Sequence, residues 1–128
     1  MELKDKELLF NVICETLPYG VNVQYIAGDG AQIDCGVDQV SVLSKCVGIF
    51  ELGTKKTVWR DVEYVKPYLR QISSMTEEEK DEYNAFFNYD GIEYPSEYVD
   101  WLNAHHFDFR GLLQKGLAIE APEGMYNK

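Results

Sequence analysis

The sequence predicts an α+β protein in which a small curled antiparallel sheet, of the SH3-like or Tudor-like kind, is combined with an N-terminal helix and a helical C-terminal part. Three patterns predict this class. Apolar residues recur at helical spacing over residues 3–16, mainly at a spacing of two over residues 21–59, and at helical spacing again beyond residue 75. We divide the 128 residues into 1–70, the helix and sheet, and 71–128, the helical part packed on them.

The first element is an amphipathic helix over residues 3–16. Leu9, Val12 and Ile13 fall on one side, and Lys and Glu residues lie between the apolar positions. Pro18 and Gly20 follow directly, and both residue types are typical of a helix end. The sequence therefore predicts one helix that ends before Pro18.

Short strands follow the helix. Residues 21–25 alternate between apolar and polar, and Ile26 follows. Gly-Asp-Gly at 28–30 then offers a tight turn into a second strand over 31–35. We interpret 28–30 as a hairpin turn rather than a phosphate-binding loop, because no helix follows it. Further strand-like runs cover residues 40–43, 46–52 and 57–59, listed here in chain order. So dense a set of strands buries its apolar face most simply by curling, or by closing partly into a barrel covered by a helix.

Residues 59–69 favour this barrel-like interpretation. A strand there runs into a single acidic turn and then into an extended stretch that contains Pro67. Many SH3-like barrels end in this way.

The helical part begins at Thr76. Thr76 and Glu79 have the spacing of a capping box, and the three Glu residues at 77–79 favour the positive end of a helix dipole. Tyr83, Phe86 and Phe87 give the helix an apolar side, after which residues 88–91 end it.

A second helix is predicted from a cap at Ser96 to the neighbourhood of His105. Residues 110–115 supply one or two further turns, closed by Gly116, and residues 117–119 continue as extended chain.

Charge and cysteine content exclude several classes of function. Twelve Lys and Arg stand against 22 Asp and Glu, so the net charge of −10 argues against a nucleic-acid partner. No apolar run approaches the roughly 20 residues that span a membrane, and the charged residues 1–7 do not resemble a signal peptide. Three cysteines without a Cys-x-x-Cys pair fit neither a disulfide framework nor a zinc site. We therefore expect a cytoplasmic protein.

Several long motifs resemble those of one family. They are KPYLR at 66–70, SSMTEEE at 73–79 and WLNAHHFDFRGL at 101–112, and the match extends through residues 115–127. The chain is similar to a family of short uncharacterised proteins encoded in gut Bacteroides-type genomes and their prophages. The resemblance implies a phage or mobile-element product, and it supplies no catalytic residue.

His105, His106 and Asp108 form a His-His-x-Asp segment, which has the residue types of a metal or acid–base site. Adjacent helical residues point about 100° apart, so both imidazoles cannot face one ion while the helix continues. We interpret the segment as a helix end, in which these residues cap the helix and tie its end to Arg110 by hydrogen bonds. The open alternative is a metal-dependent hydrolase whose site joins His105 and Asp108 with Glu97 or Asp100.

Cys35 and Cys46 could act as nucleophiles only beside a His residue, and nothing in the sequence places one there. We expect both to be small core residues, with a disulfide between them as the alternative.

The acidic run at 77–82 also has two interpretations. It could imitate the phosphates of a nucleic acid and occupy the basic groove of a host protein, or it could be a solvated helix start. The negative charge is spread along the whole chain, which favours the helix start.

Aromatic residues make up 13% of the chain, more than so small a core needs. Exposed Tyr and Trp are enriched where proteins bind proteins. The candidate binding residues are Trp59, Tyr64, Tyr68, Tyr94 and Trp101, with a groove between the two parts as the docking surface. In the competing interpretation, most of these aromatics fill the seam between sheet and helices.

The sequence therefore predicts a non-enzymatic protein-interaction module. We expect no metal, no cofactor, no nucleic acid and no membrane as a partner, and the partner protein is not specified.

Overall fold

The computed structural model describes residues 2–51, 56–85 and 95–126. Its helices are α1 (Leu3–Thr16), α2 (Glu77–Ala85), α3 (Pro95–Ala104) and α4 (Leu112–Lys115). Its strands are β1 (Asn22–Ile26), β2 (Gln32–Ser41), β3 (Cys46–Glu51), β4 (Thr57–Asp61), β5 (Val65–Leu69) and β6 (Ile119–Glu120). Short 3-10 turns cover Leu17–Tyr19, Val62–Tyr64 and Ile72–Ser74. The predicted α+β class is confirmed.

The six strands form one open sheet in the order β4-β3-β2-β1-β5-β6. β1 to β4 make an antiparallel meander, β5 pairs with the other side of β1, and β6 joins β5 in parallel. β4 and β6 lie at opposite edges and do not pair with each other. The sheet therefore does not close into a barrel.

β2 runs unbroken through residues that the sequence pattern divided between two strands. Its register with β3 shifts between Val37 and Gln39, which marks a β-bulge. Because the bulge inserts one residue, Val37 and Val40 both lie opposite core residues of β3 although they are three positions apart. The spacing of two is lost at this point, which explains why the sequence suggested a break.

The main core lies between α1 and one face of the sheet. Leu9 and Ile13 of α1 are fully buried there with Val23 of β1 and Ile49 of β3. Leu112, Leu117 and Ala118 of the C-terminal part complete the same cluster. The C-terminal part therefore contributes to the core of the sheet, and the boundary at residue 70 stays a prediction.

A second, smaller core lies within the C-terminal part. Met75, Leu102 and Phe107 are buried in it, and Tyr83 and Trp101 pack against them. This cluster joins α2 to α3.

Several predicted element ends are confirmed, whereas α3 begins at Pro95, so the predicted cap at Ser96 is wrong. α1 covers residues 3–16, and Gly20 follows with a left-handed φ of 76°. The hairpin turn at 28–30 is present, with Ala27 N–H donating to Ala31 C=O at 2.9 Å. α4 is followed by Gly116 at a φ of 73°. The predicted helix end at 88–91 lies outside the described residues.

Among the described residues, no helix has the length and apolar character needed to cross a membrane.

Candidate interaction surface

β4 is an edge strand whose outer side has no partner strand among the described residues. Val62 N–H donates to Lys45 C=O at 3.0 Å, just beyond the last pair of the β3–β4 ladder. Hydrogen-bonded and non-hydrogen-bonded pairs alternate along antiparallel strands, so the pair of Trp59 and Gly48 is non-hydrogen-bonded. The backbone N–H and C=O of Trp59 therefore point toward the free edge.

Trp59 also places a large side chain at this edge. Val58 lies opposite Ile49 of the main core, so Trp59 lies on the other face of the sheet, where its side chain is 46% exposed. Arg60 donates from Nη1 to Trp59 C=O at 2.8 Å and from Nε to Tyr25 Oη at 3.0 Å. The guanidinium group thus covers the free carbonyl of the edge, which limits unspecific strand pairing.

Tyr64 lies at the end of the 3-10 turn that follows β4. Asp61 holds this turn in place, since one carboxylate oxygen accepts from Glu63 N–H at 3.0 Å and the other from Lys6 Nζ of α1 at 3.0 Å. Tyr64 itself is 51% exposed. A hydrogen bond with Glu63 raises the pKa of the Tyr64 hydroxyl, which therefore stays protonated at neutral pH.

Two more exposed apolar residues lie in the turn between β2 and β3. Val42 is 65% exposed and Leu43 is 100% exposed. This turn lies beside the end of β4, because the first residue of β3 pairs with the last residue of β4. We refer to Val42, Leu43, Trp59 and Tyr64 together as the β4 patch.

The sequence pattern indicated only half of the β4 patch. It placed residues 40–43 in a strand, whereas β2 ends at Ser41 and leaves Val42 and Leu43 in the turn. The polar pair Ser44 and Lys45 was the available signal of a turn at this position.

The other three candidate aromatics do not belong to this surface. Tyr68 is only 7% exposed, and its hydroxyl donates to Asp34 Oδ1 at 2.5 Å. Trp101 packs in the second core and donates from Nε1 to Glu82 at 2.9 Å. Tyr94 lies outside the described residues. The structure thus places Trp59 in β4 and Tyr64 in the turn that follows it, buries Tyr68, and leaves Trp101 half-buried against the second core.

A groove of about 570 Å³ lies between α1 and α3. Its lining residues are Cys14, Glu15, Pro18, Tyr19, Val99, Asp100 and Asn103. None of the four described candidate aromatics lines it. On one side of it, Glu15 forms an ion pair with Arg110.

Glu79 is the centre of a hydrogen-bond network between α2, β5 and α3. It accepts two bonds from the Arg70 guanidinium, both at 2.7 Å, one from Thr76 N–H at 2.9 Å, and one from His105 Nδ1 at 3.0 Å. The Thr76 hydroxyl accepts from Glu79 N–H in return, which confirms the capping box. The Arg70 hydrogen bonds lower the pKa of Glu79 to about 2. One residue of the acidic run, Glu79, therefore has a structural role within the fold.

The residues of the His-His-x-Asp segment are separated by their partners. His105 binds Glu79, whereas Asp108 accepts hydrogen bonds from Leu112 N–H and Leu113 N–H at 3.0 and 2.9 Å and so caps α4. Within the described ranges, no group of three His, Cys, Asp or Glu side chains could hold a metal ion. The segment is hydrogen-bonded, as the interpretation of a helix end expects, but its partners are Glu79, Gly20 and the start of α4. The expected tie to Arg110 is wrong, because Arg110 pairs with Glu15 of α1.

His106 fastens the C-terminal tail to the sheet. It ends α3 with a left-handed φ of 62°, and its Nε2 lies 2.9 Å from Gly20 C=O. Its ring stacks on Tyr126, with 3.6 Å between centroids. The Tyr126 hydroxyl donates to Tyr68 C=O at 2.7 Å and accepts from Asn22 N–H at 3.1 Å. Burial lowers the pKa of His106, so the ring is neutral at neutral pH.

A cleft of about 290 Å³ lies beside this tail. Arg70, Gln71, Ser74 and Thr76 line one side, and residues 120–124 line the other together with Tyr126. The charge of Arg70 is already balanced by Glu79, so the cleft holds no unpaired cation.

The three cysteines are free thiols. Burial raises the pKa of the Cys14 and Cys35 thiols, which disfavours the thiolate that a nucleophile requires. Neither His105 nor His106 has a cysteine among its hydrogen-bond partners. The disulfide alternative for Cys35 and Cys46 is not realised.

Comparison with known proteins adds no family to this description. No protein-family model, no curated protein and no solved structure matches the chain.

Proposed function

We propose that this protein is a non-enzymatic protein-interaction module that binds other proteins through the β4 patch and the free edge of β4. One observation carries the proposal: a strand edge without a partner among the described residues coincides with four exposed apolar residues, which lie on β4 or in the two turns next to its end. An exposed edge offers backbone hydrogen bonds to an extended segment of another chain, and aromatic side chains supply contact area at little cost in entropy.

The cellular setting belongs to the same proposal. The resemblance to proteins of gut Bacteroides-type genomes and prophages supports a phage or mobile-element product that acts in the cytoplasm of its host. An SH3-like origin of the sheet is supported by the order of its first five strands, the bulge in β2 and the 3-10 turn before β5.

Two alternatives have less support. A metal-dependent hydrolase would need His105 and Asp108 on one ion, but each of them is bound to a different part of the chain. A mimic of nucleic acid would need the whole acidic run on the surface. The other acidic residues of the run are exposed, but Glu79 is turned inward and paired with Arg70.

The test is affinity capture from a Bacteroides-type host with three forms of the full chain. The first is the wild type, the second carries Trp59→Ala and Tyr64→Ala, and the third carries Ile72→Ser. Ile72 is a matched control, because it is also an exposed apolar residue but follows β5, at a distance of four strands from β4.

We expect the wild type and the Ile72→Ser variant to retain the same proteins, and the double variant to lose them. Retention of the same proteins by all three forms would contradict the proposal, and so would a wild type that retains none.

A further inference from the structure

The free edge of β4 has the chemistry to pair with itself. We propose that two copies of this chain join their β4 strands in antiparallel orientation, with the two Trp59 residues at the centre, and so form one continuous sheet. This inference rests on the proposed function, because it names the occupant of the same edge.

The backbone geometry supplies the first argument. The N–H and C=O of Trp59 both point outward, so a two-fold axis at this residue lets each Trp59 exchange two hydrogen bonds with its counterpart. Thr57 lies two residues before Trp59, and by the same alternation its pair with Phe50 is non-hydrogen-bonded. The backbone N–H and C=O of Thr57 therefore also point toward the free edge. In this register Thr57 of one copy lies opposite Asp61 of the other.

The charges at the two ends of β4 select the orientation. Lys56, exposed, comes just before the strand, whereas Glu63 lies at its other end, next to Asp61, whose charge is already paired with Lys6. An antiparallel pair places Lys56 of each copy at the acidic end of the other copy. A parallel pair would place like charges together, which is unfavourable. The charges at the two ends of β4 therefore complement those of a second β4 strand only when the two strands run antiparallel.

The side chains supply the third argument. The two Trp59 rings lie opposite each other on the face of the sheet that α1 does not cover, and cross-strand aromatic pairs stabilise sheets. Pairing also removes part of the exposed surface of both Trp59 side chains from water.

Two effects oppose the pairing, and neither prevents it. Arg60 Nη1 must leave Trp59 C=O, but its Nε can keep the bond to Tyr25. Each chain has a net charge of −10, and this repulsion is screened beyond about 8 Å at physiological ionic strength. The association is therefore to be measured at about 0.15 M salt.

The first experiment is sedimentation equilibrium of the full chain over a concentration series. We expect the mass to rise from 14.7 kDa toward twice that value. Thr57→Pro and Thr57→Val both lose the hydrogen bond from Thr57 Oγ1 to Asp38 at 2.7 Å, but only proline also lacks the outward N–H. We expect Thr57→Pro to dimerise at least about tenfold more weakly than Thr57→Val.

The second experiment exchanges surface charges and does not depend on the folding of a proline variant. We expect Lys56→Glu and Glu63→Lys each to weaken the dimer, and the double variant to restore it. A wild type that stays at 14.7 kDa throughout the series would overturn the proposal. So would a folded Thr57→Pro variant that dimerises as well as Thr57→Val, or a double variant weaker than both single variants.

The two proposals fail in different ways. If the wild type is a monomer but still captures host proteins through Trp59 and Tyr64, the proposed pairing of two β4 strands is wrong. The proposed protein-interaction function is then supported. If the chain forms a dimer with the expected charge dependence, but the Trp59→Ala, Tyr64→Ala variant captures the same host proteins as the wild type, the pairing of two β4 strands is supported. The proposed binding of other proteins through the β4 patch is then contradicted.

Discussion

Glu79 accepts hydrogen bonds from Arg70, Thr76 and His105, and its side chain is largely buried. Replacing it by Gln leaves the Arg70 charge without its counterion in a partly desolvated place. We expect Glu79→Gln to lower the free energy of unfolding by about 3 kcal/mol. Glu77→Gln, two residues earlier on the exposed side of α2, should change it by less than about 0.5 kcal/mol. Urea denaturation measures both values, and equal effects would contradict this role of Glu79.

The same residue makes stability depend on pH. The folded-state pKa of Glu79 is about 2, below the ordinary value of 4.5, so the charged carboxylate stabilises the fold. This contribution is complete above about pH 5 and is lost as pH falls toward about 2. We expect the stability difference between wild type and Glu79→Gln to narrow between pH 7 and pH 3 in urea denaturation. A difference that stays constant over this range would contradict the assignment.

At the scale of elements, the close pairing of β2 with β3 depends on Gly36. A Cβ atom at this position would lie 2.4 Å from the Phe50 ring. We expect Gly36→Ala to destabilise the protein by about 1–3 kcal/mol, because the ring must leave its place over the strand. Gly48→Ala on β3 is the control, since its nearest atoms lie at 3.1 Å on side chains. Thermal denaturation should show the larger loss for Gly36→Ala, and a second change, Phe50→Leu, should recover part of it.

The C-terminal tail is a separate case at this scale, because β6 has only two residues and depends on Tyr126 for its anchoring. Tyr126→Phe keeps the ring that stacks on His106 and removes the bonds to Tyr68 C=O and Asn22 N–H. We expect faster hydrogen exchange at Ala121 N–H, which donates to Leu69 C=O, and unchanged exchange within α1. Unchanged exchange at Ala121 would show that the hydroxyl is not needed to hold the tail.

At the scale of the whole molecule, the main core joins α1 and the sheet to Leu112, Leu117 and Ala118 of the C-terminal part. We therefore expect the chain to unfold in one transition. The two tryptophans make this measurable, since Trp59 lies in the sheet and Trp101 in the second core. Trp101→Phe and Trp59→Phe each leave one fluorescent reporter. Equal urea midpoints for reporter fluorescence and for far-UV circular dichroism within each variant would support a single unit, whereas separate midpoints would support a boundary near residue 70.

Signals between residues close in the chain predicted much of the fold. The spacing of Leu9 and Ile13 predicts α1, residues 28–30 predict the first hairpin, and Thr76 with Glu79 predicts the start of α2. Each is a local interaction within a few residues, so the sequence pattern contains it directly. The interpretation of 40–43 as a strand was wrong at Val42 and Leu43, because Ser41 pairs with Cys46 and residues 42–45 between them form the turn.

The candidate surface was predicted only in part, because the exposure of a side chain depends on which other elements of the fold pack against it. Tyr64 and Tyr68 are four residues apart and look alike in the sequence. β6 pairs with β5 at Tyr68, and the Tyr126 hydroxyl of the tail donates to the Tyr68 carbonyl, while no described element pairs with the outer side of β4 beside Tyr64.

The sequence by itself determined the α+β class, the N-terminal helix, the first hairpin and the acidic surplus, since these follow from composition and from contacts between near neighbours. Only the tertiary structure decided that Arg70 and His105 meet at Glu79, that β5 returns to β1, and that β4 is left as an open edge. These contacts join residues 9 to 44 positions apart or depend on the order of strands in the sheet. Backbone pairing between distant strands leaves little trace in the local pattern of side chains. The strand order and these long-range contacts could therefore not be predicted from the sequence pattern.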